Sequence, residues 1–212
     1  MDAFVVGLTA EARIARRLGW PVATGGGTAA GAEAAAQRLV AQGATGLISF
    51  GLAGGLDTTL RPGRLIVPVA VHTGDRDILA DQALCRRLGG ATPHRLLGAD
   101  AIATTAADKR RLWQATGAVA IDLESGTVAA VAQQHRLPFA VLRAICDPAE
   151  RDLPPAALAA LDRQGTIGLA RVLGSLLAGP WQLPALLALA ADAAAARRAL
   201  IGRVRQLQGV GP

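Results

Sequence analysis

Two short apolar runs, Ala118–Ile121 and Phe139–Leu142, bracket a stretch whose apolar positions recur at helical spacing. Within Thr127 to His135, residues Val128, Val131 and Ala132 share one face, the pattern of a helix with one buried side. A strand, a helix and a strand joined this closely fit a right-handed crossover between parallel strands. The unit predicts Glu124 just beyond the first strand and Asp147 just beyond the second. Both carboxylates then lie at the carboxyl edge of one sheet, where open α/β folds bind ligands.

Each acid also has a purely structural reading. Asp147-Pro148-Ala149-Glu150 has the form of a helix start, with an N-cap Asp, Pro at the first helical position and Glu reaching back. Glu124 falls in a first helical turn, where the helix dipole favours an acid. Arg143 complicates this view: it stands inside an apolar strand, and a buried guanidinium needs an acidic partner.

The length of 212 residues suits one compact domain with a substantial core. With 51% hydrophobic and 18% charged residues, the chain is not a disordered one. The net charge of +6 is almost all arginine, because Lys109 is the sole lysine. Alongside so much alanine, this reflects GC-rich codon usage as much as an acidic partner. Aromatics make up 3% and tyrosine is absent, which argues against stacking platforms for single-stranded nucleic acid. Cys85 and Cys146 stand far apart, and His72, His94 and His135 are scattered. Free thiols, a cytoplasmic location and no metal are expected. The acidic Asp2 and an early strand occupy the place of a signal peptide's basic start and apolar core.

In chain order, Ala3–Val6 reads as a strand turning at Gly7, and Glu11 to Leu18 as a helix with Arg13, Arg16 and Arg17 outermost. The glycine turn of Gly25, Gly26, Gly27 and Thr28 opens a helix from Ala29 to Ala41. Its backbone N–H groups offer an anion site. The nominal G-x-G-x-x-A match there lacks both a long preceding strand and the acid expected about 20 residues on. Thr45–Phe50 is expected as a strand, followed by a Gly51–Gly55 loop that lets backbone approach a ligand. One long strand is expected over Leu65–His72, a loop over 73–78, a short helix over Gln82–Leu88, a strand over Leu96–Thr104 and a helix over Asp108–Gln114. Helices follow from Leu153-Pro154-Pro155 and over Thr166–Leu177. No residue is charged between Arg171 and Asp192, but Gly179-Pro180 and Pro184 cut the run. Neither part reaches the ~20 helical residues of a membrane span. The final helix, Pro184 to Gln206, has leucines first and arginines late; it suits core packing, an oligomer contact or an interfacial anchor.

Asp122-Leu-Glu-Ser-Gly126 and Arg143-Ala-Ile-Cys-Asp147 resemble motifs of the purine nucleoside phosphorylase and methylthioadenosine/S-adenosylhomocysteine nucleosidase superfamily. Most members have Met-Glu at Leu123-Glu124 and Ser-Asp at Cys146-Asp147. With Phe50-Gly-Leu-Ala-Gly-Gly-Leu56 and the Ala/Leu-rich C-terminal region, the chain is most similar to the hopanoid-associated nucleoside phosphorylases. The resemblance implies an α/β fold, a single-domain mixed β-sheet flanked by helices over 1–178, with a helical C-terminal extension over 179–212. It further implies cleavage of the N-glycosidic bond of an adenine nucleoside. Asp147 would protonate purine N7, its pKa raised by an apolar pocket near Ile145. Glu124, ionised, would hold the ribose hydroxyls as positive charge develops.

By the same resemblance, Gly51, Leu52, Ala53, Gly54, Leu123 and Cys146 line the substrate and Ile102 stacks on the base. Gly7, Gly26 and Thr28 face the nucleophile, phosphate or water. Phosphorolytic members use an Arg soon after the position of Gly7, and hexameric ones an Arg where this chain has Ser49. Hydrolytic members use a Glu near Glu11 to activate water. The implied substrate is adenosylhopane, cleaved with inorganic phosphate as co-substrate and no other cofactor, leaving a ribosylhopane phosphate. The alternatives are hydrolysis of methylthioadenosine or S-adenosylhomocysteine, and a nucleoside-binding protein without catalysis. A homo-oligomer is implied, and the C-terminal segment is a candidate for contact with the inner face of the membrane.

Overall fold

The computed structural model describes residues 1–155, 157 and 179–209. Its elements are β1 (Asp2–Val6), α1 (Thr9–Ala15), β2 (Val22–Thr24), α2 (Ala29–Ala41), β3 (Gly46–Gly55), β4 (Leu65–Ile66), β5 (Pro68–Thr73), β6 (Arg76–Leu79), α3 (Gln82–Arg87), β7 (Thr92–Gly98), α4 (Ala106–Thr116), β8 (Ala120–Asp122), α5 (Ser125–Gln134), β9 (Phe139–Asp147) and α6 (Leu183–Gly209). The strands form one mixed sheet in the order β2-β1-β3-β8-β7-β5-β6, while β9 pairs with β3 and β4. This is the expected α/β architecture, with helices on both faces.

Alternation along the central strands produces the two helical layers. Ala3, Val5, Leu47 and Val141 face α2 and α5, which bury Ala32, Ala35, Ala36, Val128 and Ala132 against them. Phe4, Val6, Ile48, Phe50, Ala140 and Leu142 face the opposite way, toward α1, α3 and α6. Strands covered on both sides read as continuous apolar runs, and for that reason they stood out in the sequence.

Several boundaries differ from expectation. The strands on either side of α5 are not neighbours: β9 runs parallel to β3, whereas β8 meets the end of β3 antiparallel at Gly54–Gly55. β3 therefore separates them, and the simple crossover is replaced by a hub strand with three partners. The Gly51–Gly55 segment is not a loop, because β9 keeps pairing with it through a bulge at Ala53/Gly54. Pro68, which has no N–H to donate, splits the expected long strand into β4 and β5. The segment 73–78 returns as a hairpin into β6, and the strand near residue 100 is earlier, Thr92–Gly98. No helix starts at Pro148; Arg151 N–H bonds Pro148 O in a turn. The expected helix over Thr166–Leu177 and most of the one from Leu153 lie outside the described residues.

The last helix divides in two. Ala196, Leu200 and Val204, four residues apart, form a buried stripe beside β9 and α1, and Arg203 Nη1 donates to Leu88 O at 2.7 Å. Its first half, with the preceding turn, leaves Trp181, Leu183 and Leu187 exposed. No described helix is long and apolar enough to cross a membrane. Leu200→Ala should cost about 2–5 kcal/mol, the usual range for an aliphatic truncation in a core. Trp181→Ala should stay within about 0.5 kcal/mol. Urea denaturation of both variants checks the contrast.

Candidate active site

Register fixes where the site lies. Thr24, Val6, Phe50 and Leu142 stand side by side across β2, β1, β3 and β9. One step further along these parallel strands come Gly25, Gly7, Gly51 and Arg143. The first three carry no side chain, which leaves room at this edge for acids from elsewhere.

Glu11 fills part of it. It lies in the first turn of α1 and folds back, so that Oε2 accepts the N–H groups of Gly7 (3.0 Å) and Leu8 (2.8 Å). Two donors that a helix start leaves open are thereby satisfied. Oε1 accepts Leu52 N–H from β3 at 2.8 Å. Burial, reinforced by the nearby Glu124, pushes the carboxyl up to about 7, against the pull of Arg143.

Arg143 is the centre of the cluster. Its guanidinium is 1% exposed, with Nε 2.6 Å from Asp122 Oδ2, out of line for a directed hydrogen bond. Nη2 donates to Glu124 Oε2 at 2.9 Å and to Ser49 Oγ at 2.7 Å. Ser125 Oγ donates to Asp122 Oδ2 at 2.5 Å and is hydrogen-bonded to Ser49 Oγ at 2.9 Å. The buried strand arginine thus has the acidic partners it requires. Burial raises the Glu124 pKa, opposed by Arg143.

The capping reading of Glu124 fails. Glu124 occupies the N-cap position of α5, yet its side chain makes no cap hydrogen bond. Asp122 caps instead, its Oδ1 accepting the N–H groups of Glu124 (3.1 Å) and Ser125 (2.8 Å). Glu124 is left to point at the site. There it lies so close to the backbone that a Cβ on Gly7 would fall 2.0 Å from Oε1. A Cβ on Gly51 would fall 2.4 Å from Glu11 Oε1 and 2.5 Å from Arg143 Nη1. Both glycines are required by close approach.

Asp147 ends β9 and caps nothing. Lys109 Nζ from α4 donates to its Oδ2 at 2.5 Å, while Oδ1 is buried with no partner among the described residues. Burial raises the Asp147 pKa, and Lys109 opposes the rise. Cys146 lies between the two ends of the site. Burial, then Asp147 and Glu11, pushes its thiol up to about 12, so it is a neutral group there. Gly54 of β3 lies beside the acid: a Cβ on it would be in ordinary contact with Asp147 Oδ2, at 3.8 Å. Gly51 and Gly54 are three residues apart, so the Glu11 and Asp147 ends are separated by roughly 10 Å of strand.

The remaining sequence candidates are placed less centrally. Leu52 and Leu123 are half-buried and Ala53 is buried. Ile102 lies in the loop after β7 and is exposed. Gly26 and Thr28 lie on the turn between β2 and α2, at the same sheet edge. Gly26 adopts φ 73°, and Thr28 Oγ1 accepts Gly31 N–H as the α2 cap. Arg13, Arg16 and Arg17 are exposed. Among the described residues, no three His, Cys, Asp or Glu side chains are grouped to hold a metal. An open cleft of about 270 Å³, lined by Glu33, Thr73 and Thr127 among others, lies away from the carboxylates. From sequence, Asp122, Ser125 and Lys109 have no site role, and Ser49 stands out only as the position where hexameric members carry an Arg. Asp122, three residues before the first residue of α5, carried a detectable capping signal; Lys109 carried none.

A sequence profile of the phosphorylase superfamily matches residues 95–173. None of the curated proteins matches the chain. Among solved structures, futalosine hydrolase of Helicobacter pylori is similar at 17% identity, over 82% of this chain and 97% of that one, with a TM-score of 0.66. A 5′-methylthioadenosine/S-adenosylhomocysteine nucleosidase from Colwellia psychrerythraea, solved with adenine, is similar at 17% identity over 83% and 96%, with a TM-score of 0.65. The corresponding Helicobacter pylori nucleosidase is similar at 15% identity over 97% of both chains, with a TM-score of 0.68.

The buried acid Glu11 has a thermodynamic signature. An unfolded Glu loses its proton near its model value of 4.5, whereas folded Glu11 holds it to about 7. Between these values the folded state binds the extra proton, so this group makes stability fall as pH rises. Glu11→Gln should therefore gain stability relative to wild type from pH 4.5 to 7 and gain no more above. Urea midpoints measured across that range, at unchanged m, check it.

Proposed function

We propose that this chain, whose fold and residues 95–173 are those of the phosphorylase superfamily, is an enzyme that cleaves the N-glycosidic bond of an adenine nucleoside with water as nucleophile. The observation that carries this reading is the division of labour among the three buried acids. Glu11, poised near 7 and held by three backbone N–H groups, suits a base that takes a proton from water. Glu124, paired with Arg143, suits an anion that holds ribose hydroxyls and faces the growing positive charge of the sugar. Asp147 has a raised pKa and one buried oxygen without a partner among the described residues, which suits an acid that protonates purine N7. Water then bonds to the anomeric carbon and gives a proton to Glu11. The bond to the base breaks, its electron pair leaves on adenine, and Asp147 supplies the N7 proton. The printed activities of the similar structures, a futalosine hydrolase and methylthioadenosine/S-adenosylhomocysteine nucleosidases, support the same reading.

Water is favoured over phosphate by charge. Arg143 is already engaged by Asp122 and Glu124, and Ser49 by Arg143 and Ser125. The early arginines Arg13, Arg16 and Arg17 are exposed to solvent. A phosphate dianion would have to settle beside Glu11 and Glu124 with no uncommitted cation at the cluster among the described residues, and like charges at close range repel. The second reading is phosphorolysis, supported by the Gly25–Thr28 turn that points backbone N–H groups from the start of α2 along this edge. The finer substrate reading, adenosylhopane, rests on the sequence resemblance, as does a homo-oligomer. Membrane contact by the C-terminal segment draws support from exposed Trp181, Leu183 and Leu187; co-sedimentation with anionic liposomes tests it.

Adenine release from methylthioadenosine and from adenosylhopane, each with and without phosphate, tests the proposal. Release should need no phosphate, and Glu11→Gln and Asp147→Asn should each lower it by about 10²–10⁴-fold. Strict dependence on phosphate would establish the second reading. A folded wild-type protein that releases no adenine under any of these conditions would leave a binding protein.

A further inference from the structure

Lys109 is among the largest fully buried side chains of the protein, and nothing in the cleavage chemistry above requires a lysine. Burying an ammonium is costly unless every hydrogen finds an acceptor. Here each does: Nζ donates to Asp147 Oδ2 at 2.5 Å, Pro148 O at 3.0 Å and Arg151 O at 2.8 Å. The lysine comes from α4, whose start is fixed by the Thr105 cap on Asp108 N–H. It ties this helix to the last residue of β9 and to the turn that follows.

The pairing is one-sided. Lys109 takes Oδ2 and leaves Oδ1 buried with no partner among the described residues. A carboxyl group held by one oxygen is restricted in rotation, so its other oxygen keeps a preferred direction. The charged groups around it are few. Lys109 faces it from α4, Arg151 from the turn and Asp192 from α6, the last two ion-paired to each other at 2.5 Å. The neighbouring Cys146 thiol is neutral.

We infer that Lys109 is the positioning residue of the acid: it aims Asp147 Oδ1 at the purine and compensates the charge that appears on Asp147 when its proton leaves. This rests on the reading of Asp147 as the general acid. Lys109 exchanges no proton and touches no substrate; it acts through the carboxylate alone. A buried Asp without it would be a weaker acid, since nothing would offset the cost of the anion.

The sole lysine gives a direct readout. In protein labelled with 15N at lysine Nζ, the spectrum holds one side-chain signal, and its shift should follow the titration of Asp147. The inflection should vanish in Asp147→Asn. In kinetics with methylthioadenosine, Lys109→Met should lower kcat by about 10²-fold, the lower end of the worth of general acid catalysis. KM should change little, and the alkaline limb of the rate profile, set by loss of the Asp147 proton, should move to higher pH. In an Asp147→Asn background the same substitution should cost nothing more. A lysine signal indifferent to Asp147, or a folded Lys109→Met with an unmoved limb and only a lower Tm, would overturn the assignment. If Lys109→Met does not fold, the lysine signal decides alone. An inactive wild type would refute the nucleosidase reading, while the signal would still test the Lys109–Asp147 coupling.

Discussion

Everything at the carboxyl edge of the sheet depends on one buried cation, Arg143. It lies in β9, between apolar neighbours, where an unpaired guanidinium would be untenable. Its partners come from different parts of the chain: Asp122 and Glu124 from the end of β8 and start of α5, Ser49 from β3. Ser125 closes the ring by bonding both Ser49 and Asp122. Removing one member of such a set strands the others without water, typically at a cost of about 3–5 kcal/mol for a buried ion pair. The network therefore locks the relative placement of β3, β9 and α5 as it orients Glu124. The same residues that hold the architecture together define the site.

A second cation organises the other end. Lys109 serves Asp147 as Arg143 serves Glu124, but the two environments differ in kind. Around Arg143 there are two ion-paired acids, a third close by, and a hydroxyl network. Around Asp147 there is one directly bonded lysine, itself held by two carbonyls, the Arg151–Asp192 pair nearby, and a carboxylate oxygen with no partner among the described residues. Burial raises both acids toward the neutral form and the cations oppose it. Glu11 has no directly bonded cation, only backbone donors, and its pKa rises to about 7. Groups whose environments set their proton affinities differently can take different parts in one reaction.

Much of this was legible in the sequence. Doubly covered strands announce themselves as apolar runs, and the need of Arg143 for an acidic partner follows from its place in one. The local motifs around the acids misled, in opposite directions of the same error. Asp147-Pro148-Ala149-Glu150 looks like a helix start, but Asp147 is held by Lys109 from 38 residues earlier, and a tertiary partner outweighs a local propensity. Glu124 looks like an N-terminal acid, but Asp122 was already placed to cap. The order of the strands was not legible, because no short-range pattern tells β8 that β3 will lie between it and β9. Nor was Lys109: one lysine in a polar helix looks like any solvated one until the fold encloses it.

The glycines show how tightly the chemistry constrains the backbone. Glu11 and Glu124 converge on Arg143 from α1 and from the start of α5. Both fit beside it only because Gly7 and Gly51 present bare backbone at the crossing point. A methyl group at either position would overlap a carboxylate, so these residues leave room for charge to accumulate. Without that room Glu124 would be displaced from its guanidinium, and Glu11 would lose its place against Leu52 N–H. Proximity also sets proton affinity, since Glu124 is second only to burial in raising Glu11. Two glycines thus tune an acid they do not bond, by fixing how near a second acid can stand.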